Sequence, residues 1–236
     1  LKALGIDNLA HFPFLSPPPN PNMFSALESL HVLGILDDHA RLTSPLGMQV
    51  AEFPIKPQIA KMLLQSGQVG CSSEMLTIAA MMSTPNIYAL VRGSQQADAD
   101  LAKQQFSVSE GDHITYLNIY ESFVGAKRQA EWCYQNYLNY KSLSRVVTIR
   151  RQLESFLRKF NVPVVSIYDT ERDVKKATEV VCKCVLSGIF KHSARLQPDG
   201  SYLTLHTNQK LFIHPSSVLL RKPPKWAAFS DVIITT

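Results

Sequence analysis

The chain has 236 residues, of which 45% are hydrophobic and 18% are charged, which predicts one or two folded domains and is too apolar for a disordered chain. No run of about 18 apolar residues occurs, so no membrane-spanning helix is expected. Residues 1–126 contain 6 Lys/Arg and 11 Asp/Glu, whereas residues 127–236 contain 18 Lys/Arg and 8 Asp/Glu. This imbalance indicates nucleic acid as a partner of the C-terminal half, with a solvated basic surface as the alternative.

The first predicted unit covers residues 1–67 and is typical of a small winged-helix module. The absence of an initiator Met at Leu1 indicates a piece of a longer protein. The proline-rich stretch 16–21 predicts a stiff connector before a helix over 23–36. A short strand with a turn and two further helices are predicted over 42–47, 46–53 and 58–65.

The predicted helix over residues 23–36 contains more apolar residues than one buried stripe requires. We expect some of them to remain exposed as a groove for a partner helix, unless all are buried within the module. The candidate partner-binding residues are Phe24, Leu27, Val32 and Ile35.

The second predicted unit, residues 68–169, is a helical bundle. Ser109 and Asp112 fit a capping box at the start of a helix, because each side chain can satisfy an amide of the first turn. The polar stretch 92–105 predicts a surface loop. Further helices are predicted over 74–83, 128–137 and 143–160.

The third predicted unit, residues 170–236, begins with a helix that runs from a second capping box, Thr170 to Asp173, to about Phe190. Short strands follow, and the sequence Pro198-Asp199-Gly200 predicts a hairpin turn between the first two. Several short strands in so small a unit favour a compact β-barrel. The predicted strands are 193–197, 201–207, 211–213, 226–229 and 231–235.

Sequence motifs for catalysis are absent. The chain has no Gly-x-x-x-x-Gly-Lys-[Ser/Thr] phosphate loop, no Gly-x-Ser-x-Gly elbow and no His-Glu-x-x-His zinc pattern. Cys182 and Cys184, two apart on a predicted helix, point to different faces and cannot bind one metal ion together. We therefore expect no catalytic residues, no metal site and reduced, mostly buried thiols.

Several strings along the chain resemble the C-terminal region of DEAH-box RNA helicases, in the order of that family and over essentially the whole chain. The predicted winged helix, a ratchet-like helical bundle and an oligonucleotide-binding (OB) fold all carry such strings. They are Leu27-Glu28-x-Leu30-x-x-Leu33-Gly34, Leu42-Thr43-x-x-Gly47, Pro57-x-x-Ala60-Lys61-Met62-Leu63, Glu110-Gly111-Asp112-His113-x-Thr115-x-Leu117-Asn118-x-Tyr120, Trp132-Cys133-x-x-x-Tyr137-Leu138-Asn139, Ile149-Arg150-x-Gln152-Leu153, Cys184-x-x-x-Gly188-x-Phe190 and Ile213-His214-Pro215-Ser216-Ser217-Val218-Leu219.

The resemblance implies a mainly α, multidomain chain with a C-terminal β-barrel. It also implies that this chain forms a tunnel for single-stranded RNA together with two RecA-like domains, which lie outside the chain. It implies that those domains bind ATP and Mg and carry the ATPase activity, while this chain has no cofactor of its own. It also implies a G-patch protein activator and, for the branch that Asn139-Tyr140-Lys141 and Pro223-Pro224-Lys225-Trp226 resemble, a nuclear role in pre-mRNA splicing.

The candidate RNA-binding residues are basic, hydroxyl or aromatic side chains in the last two units. Arg150 and Arg151 interrupt an apolar stripe and can pair with phosphates, so we expect them to matter for RNA and not for folding. The alternative for Arg150 is an ion pair with Glu154, and for Tyr202, expected to stack on a base, a place in the core. The full set is Arg150, Arg151, His192, Arg195, Tyr202, His214 and Ser216. A protein-interaction scaffold with no RNA contact is the rival hypothesis.

Overall fold

The computed structural model describes residues 1–91 and 93–233 and is mainly helical. Short 3-10 helices occupy Lys2–Leu4, Leu9–His11, Gly93–Gln95 and Val218–Arg221. The α-helices are α1 Asn20–Val32, α2 Leu46–Glu52, α3 Pro57–Val69, α4 Ser72–Met82, α5 Gln96–Gln104, α6 Asp112–Gly125, α7 Ala130–Gln135, α8 Tyr140–Lys159, α9 Ile167–Thr170 and α10 Val174–Ile189. The strands are β1 Ser193–Leu196, β2 Tyr202–Thr204, β3 Lys210–Leu211 and β4 Trp226–Ala228.

Helix α4 is buried along almost its whole length and lies between two hydrophobic clusters. Met75 and Ile78 belong to a cluster built with α2, α3, α8 and α10. Ala80 and Met81 belong to a second cluster, which α6, α7 and the first half of α8 complete. An all-round apolar helix of this kind is typical of a position at the centre of a helical body.

The four strands form one antiparallel sheet in the order β3-β2-β1-β4. The predicted hairpin turn is confirmed between β1 and β2, where the Asp199 carboxylate accepts hydrogen bonds from the amide and hydroxyl of Ser201 and Gly200 has a φ of +82°. Within residues 1–91 and 93–233 the sheet is open, so the expected closed β-barrel is not confirmed. Residues 231–233 form no strand, and the rest of the predicted strand 231–235 lies outside the described residues.

Two expectations about helix starts and one about a loop are wrong. Helix α6 begins at Asp112 after Gly111, and the Ser109 hydroxyl donates to the neighbouring Glu110, so no capping box forms. Helix α10 begins at Val174, where the Asp173 carboxylate accepts the amides of Lys175 and Lys176. The stretch 92–105 contains α5, because its Gln, Ala and Lys residues favour helix even where few side chains are buried. The division at 67 and 169 stays a prediction.

In the described part of the chain, no helix combines the length and the hydropathy that crossing a membrane requires. Across the same residues, no three His, Cys, Asp or Glu side chains come together as a metal site would need. The four cysteines are free thiols, and all but Cys182 are buried.

Helices α3 and α10 approach each other closely at Gly188. A Cβ atom at Gly188 would lie 2.5 Å from the carbonyl oxygen of Gln58 and 2.7 Å from the side chain of Met62. Because Gly188 has no side chain, the two helix backbones can meet there, and α10, which leads into the sheet, packs directly on α3.

We predict that Gly188→Ala lowers the free energy of unfolding by about 1–3 kcal/mol, because the backbone at Gln58 cannot move away from the added methyl group without shifting a helix. Chemical denaturation measures the change.

Gly125→Ala is the matched control. A Cβ at Gly125, at the end of α6, meets no atom within 4 Å, so we expect its stability to change little or to rise slightly. Equal effects of the two substitutions would contradict the proposed close approach.

Candidate nucleic-acid interface

The string Glu110-Gly111-Asp112-His113 lies where the helical bundle meets the segment between β3 and β4. The Asp112 carboxylate accepts hydrogen bonds from the Ser217 hydroxyl at 2.6 Å and from the Val218 amide at 3.0 Å. Gly111, with a φ of +109°, would place a Cβ 3.4 Å from Leu219. Asp112 thus accepts hydrogen bonds at the start of the 3-10 helix Val218–Arg221, in another unit, and does not cap its own helix α6.

Two further side chains fix the same junction. Nε2 of the His113 ring lies 3.0 Å from the Ser230 hydroxyl. Burial lowers the pKa of His113 below its ordinary value, although the negative charge of Asp112 acts in the opposite direction. The Lys103 ammonium donates to the carbonyl oxygen of Ser216 and lies 4.6 Å from the centre of the Tyr88 ring. Burial also lowers the pKa of Lys103. The segment is therefore held from α5 and α6 together.

Two predicted RNA-binding residues, His214 and Ser216, are brought together at this junction. Both are exposed, and the Nδ1 of His214 lies 2.7 Å from the Ser216 hydroxyl and accepts the Ser216 amide at 3.1 Å. Nε2 is thus the ring nitrogen that remains for another group. Their contact with RNA stays a prediction.

The neighbours Arg150 and Arg151 have different environments. The Arg150 guanidinium donates to the Thr77 hydroxyl at 3.1 Å and to the Ser73 hydroxyl at 3.0 Å, and it lies 3.8 Å from the Glu154 carboxylate. These contacts join α8 to α4, so the expectation that Arg150 does not matter for folding is corrected. Arg151 is exposed, as expected of a residue that binds a phosphate.

The next two candidates, Tyr202 and Arg195, lie on opposite faces of the sheet. Tyr202 is 3% exposed and its hydroxyl donates to the carbonyl oxygen of Pro224, so the ring belongs to the core and the expected base-stacking role is corrected. Arg195 is exposed, and its guanidinium carbon lies 5.6 Å from the centre of the Trp226 ring. Arg195 is therefore available to a ligand on the outer face of the sheet.

His192, the remaining candidate, lies between the sheet and the winged-helix unit. Its ring stacks on Phe229 at 5.3 Å between centroids, and burial lowers its pKa. Its buried Nδ1 has no hydrogen-bond partner among the described residues. Beside it, Lys191 and His206 lie 3.2 Å and 3.5 Å from the Glu28 carboxylate of α1. His192 thus faces a junction within the chain more than open solvent.

The predicted partner-binding residues differ in how far their side chains are exposed. Phe24 is 71% exposed and Val32 is 39% exposed, whereas Leu27 is half-buried. Ile35 is 2% exposed, so its predicted place on the partner surface is corrected. Because Ile35 follows the end of α1, it packs with Val50 and Leu63 and not along the helix face.

Sequence reasoning did not single out Trp226, Phe212 and Lys210, whose side chains are exposed at or beside the sheet. Their signal is the period-two alternation of the strands, which sets alternate residues on one face once the register is known. Lys103 was missed because the stretch 92–105 was expected to be a loop. Its partner, a backbone carbonyl 113 residues away, leaves no trace in the local sequence.

Comparison with known families places three domains along the chain. Residues 26–55 match the winged-helix part of the helicase associated domain (HA2), and residues 56–116 match its ratchet-like part. Residues 181–236 match the oligonucleotide/oligosaccharide-binding (OB) fold. The chain thus contains the winged-helix and ratchet-like parts of the helicase associated domain, followed by an OB-fold domain. The resemblance to the C-terminal region of DEAH-box RNA helicases is thereby confirmed.

Curated relatives of this helicase-associated chain are RNA helicases by name. "Probable ATP-dependent RNA helicase DHX35" of Homo sapiens is 48% identical over 237 residues, which cover 100% of this chain and 33% of that protein. The DHX35 homologue of Caenorhabditis elegans is 38% identical, over 99% of this chain and 31% of its own length. A Schizosaccharomyces pombe relative, named "Putative pre-mRNA-splicing factor ATP-dependent RNA helicase", is 39% identical, over 99% of this chain and 35% of its own length. The chain thus spans about a third of the length of these relatives.

We predict that Arg150→Ala lowers the free energy of unfolding by about 1–3 kcal/mol, because it removes the hydrogen bonds to the hydroxyls of Ser73 and Thr77 that join α8 to α4. Arg151→Ala is the matched control, with an expected change within about 0.5 kcal/mol. Thermal unfolding of both variants decides between the two environments. If the two arginines prove equally dispensable for stability, the structural assignment of Arg150 is refuted.

Proposed function

We propose that the chain is the C-terminal accessory region of an ATP-dependent RNA helicase and grips single-stranded RNA while RecA-like domains outside it bind ATP and Mg and hydrolyse the nucleotide. The observation that carries the proposal is the ordered match to winged-helix, ratchet-like and OB-fold domains over a chain 48% identical to a named RNA helicase. The name of the fission yeast relative supports a role in pre-mRNA splicing, and hence in the nucleus.

The structure supports a division of labour within the region. The bonds of Asp112, His113 and Lys103 join the bundle to the OB-fold segment, so both would hold a strand as one body. Exposed Arg151 and Arg195 would pair with phosphates, for which a planar guanidinium is better suited than an ammonium group. The nucleotide chemistry belongs to the RecA-like domains, and the 236 residues should hydrolyse no ATP alone.

Single-stranded RNA binding by the 236-residue chain, measured by fluorescence anisotropy at several salt concentrations, tests the proposal. We expect log K to fall linearly with log salt, and Arg151→Ala to reduce the slope by about 0.7, the value for one lost phosphate contact. Lys175→Ala, which removes an exposed charge at the start of α10, is the control and should leave the slope unchanged. Absence of binding even at low salt would favour the scaffold hypothesis.

We further propose that an activator of the G-patch type docks on α1. The exposed Phe24 and Val32 support it, because a helix that keeps two large apolar side chains in water offers a surface for a partner. A bound G-patch peptide should protect the amides of residues 20–32 from exchange. We expect Phe24→Ser to abolish this protection and to leave RNA affinity unchanged. Protection confined to residues 127–236 would refute the docking site.

A further inference from the structure

The register of the sheet places four residues in one row across all four strands. Lys210 pairs with Leu203, Leu203 with Arg195, and Arg195 with Trp226. Since paired residues point to the same face, all four side chains project from one side of the sheet. At about 4.8 Å between strands, the row spans roughly 14 Å.

This face is exposed while the opposite face is buried. Ala194, Tyr202 and Thr204, on the opposite face, are between 1% and 5% exposed. Trp226, in the row, is 51% exposed, and Phe212, which follows β3 and lies beside Lys210, is 71% exposed. Two large, solvent-exposed aromatic side chains near the two ends of the row indicate a ligand-binding surface.

Each of these aromatic rings has a cation beside it. The Arg195 guanidinium carbon lies 5.6 Å from the centre of the Trp226 ring, and the Lys210 ammonium lies 5.8 Å from that of Phe212. Such pairs hold a long, charged side chain along the surface and keep it close to the ring. The arrangement therefore presents aromatic area and positive charge together.

The charge around the face selects an anionic partner. Residues 191–228 contain six Lys/Arg and one acidic residue, Asp199. The Asp199 carboxylate is engaged by Lys210 at 2.6 Å and by Ser201, and these bonds hold its pKa below the ordinary value. Arg195 forms no ion pair with any carboxylate in the described residues. A negatively charged ligand would thus meet a free guanidinium beside an exposed indole.

We propose that this row is a stacking platform for single-stranded RNA, in which Trp226 stacks on an unpaired base and Arg195 pairs with an adjacent phosphate. The inference rests on the proposed RNA-binding function and deepens it, since it assigns the base contact to Trp226 in place of the buried Tyr202. An aromatic ring accepts any base, so the platform binds without sequence preference. It discriminates against duplex RNA, whose base faces are covered by their neighbours.

Binding of fluorescein-labelled single-stranded RNA to the 236-residue chain and its Trp226 variants tests the platform. Loss of one base–aromatic stack should weaken binding of Trp226→Ala by at least about fivefold. Trp226→Phe should retain most of the affinity, because the aromatic face remains. Tyr134→Ala removes a 65% exposed aromatic ring from α7 and should bind like the unmodified chain. Unchanged melting temperatures ensure that the variants report binding.

An oligonucleotide of abasic ribose-phosphate units separates the base contact from the phosphate contact. We expect it to bind weakly, with equal affinity for the unmodified chain and Trp226→Ala. RNA should also quench the tryptophan fluorescence of the unmodified chain more than that of Trp226→Phe, whose remaining tryptophan is Trp132.

The outcomes distinguish the platform from the broader function. If Trp226→Ala binds RNA with the same affinity as the unmodified chain, the stacking platform is refuted but the proposed RNA-binding function is not. No RNA binding by the unmodified chain overturns both. Binding of a poly-glutamate peptide that competes with RNA and depends equally on Trp226 would show a docking face for acidic proteins, and it would also overturn the base-stacking proposal.

Discussion

The contact between the backbones of α3 and α10 at Gly188 is the constraint on which the rest of the arrangement depends. Glycine at this position lets α10 lie directly on α3, with Cys184 and Val185 in the same hydrophobic cluster as residues of α3. Because α10 leads immediately into β1, its placement also fixes where the sheet begins. The outer row of the sheet and the small junction around His192 both follow from it.

A second set of bonds holds the far end of the sheet unit. Asp112, His113 and Lys103 of the bundle engage the segment between β3 and β4 and the residue Ser230 after it. The OB-fold part is therefore attached on two sides, by α10 and by this segment. An RNA strand that contacts both the bundle and the sheet would be held by groups whose spacing is fixed.

The sequence predicts most of this fold where the pattern is local. Apolar periodicity locates the long helix α8 to within a few residues, the helix predicted from Thr170 to about Phe190 overlaps α10, and Pro198-Asp199-Gly200 locates the hairpin. What fails depends on partners distant in sequence. Asp112 resembles a local helix cap, yet its hydrogen bonds go to residues 217 and 218. The sequence likewise cannot reveal that Arg150 faces α4 while Arg151 faces solvent, because that depends on how the helices pack.

The adjacency of Arg150 and Arg151 affects how genetic variants in this region are interpreted. Two substitutions one codon apart would look equivalent in any comparison based on charge or on motif position. At Arg150 the defect would be a lower amount of folded protein, which a chemical chaperone or a lower growth temperature could relieve. At Arg151 the protein would accumulate normally and no such treatment would restore it. Abundance, measured beside phenotype, would therefore assign each variant to its cause.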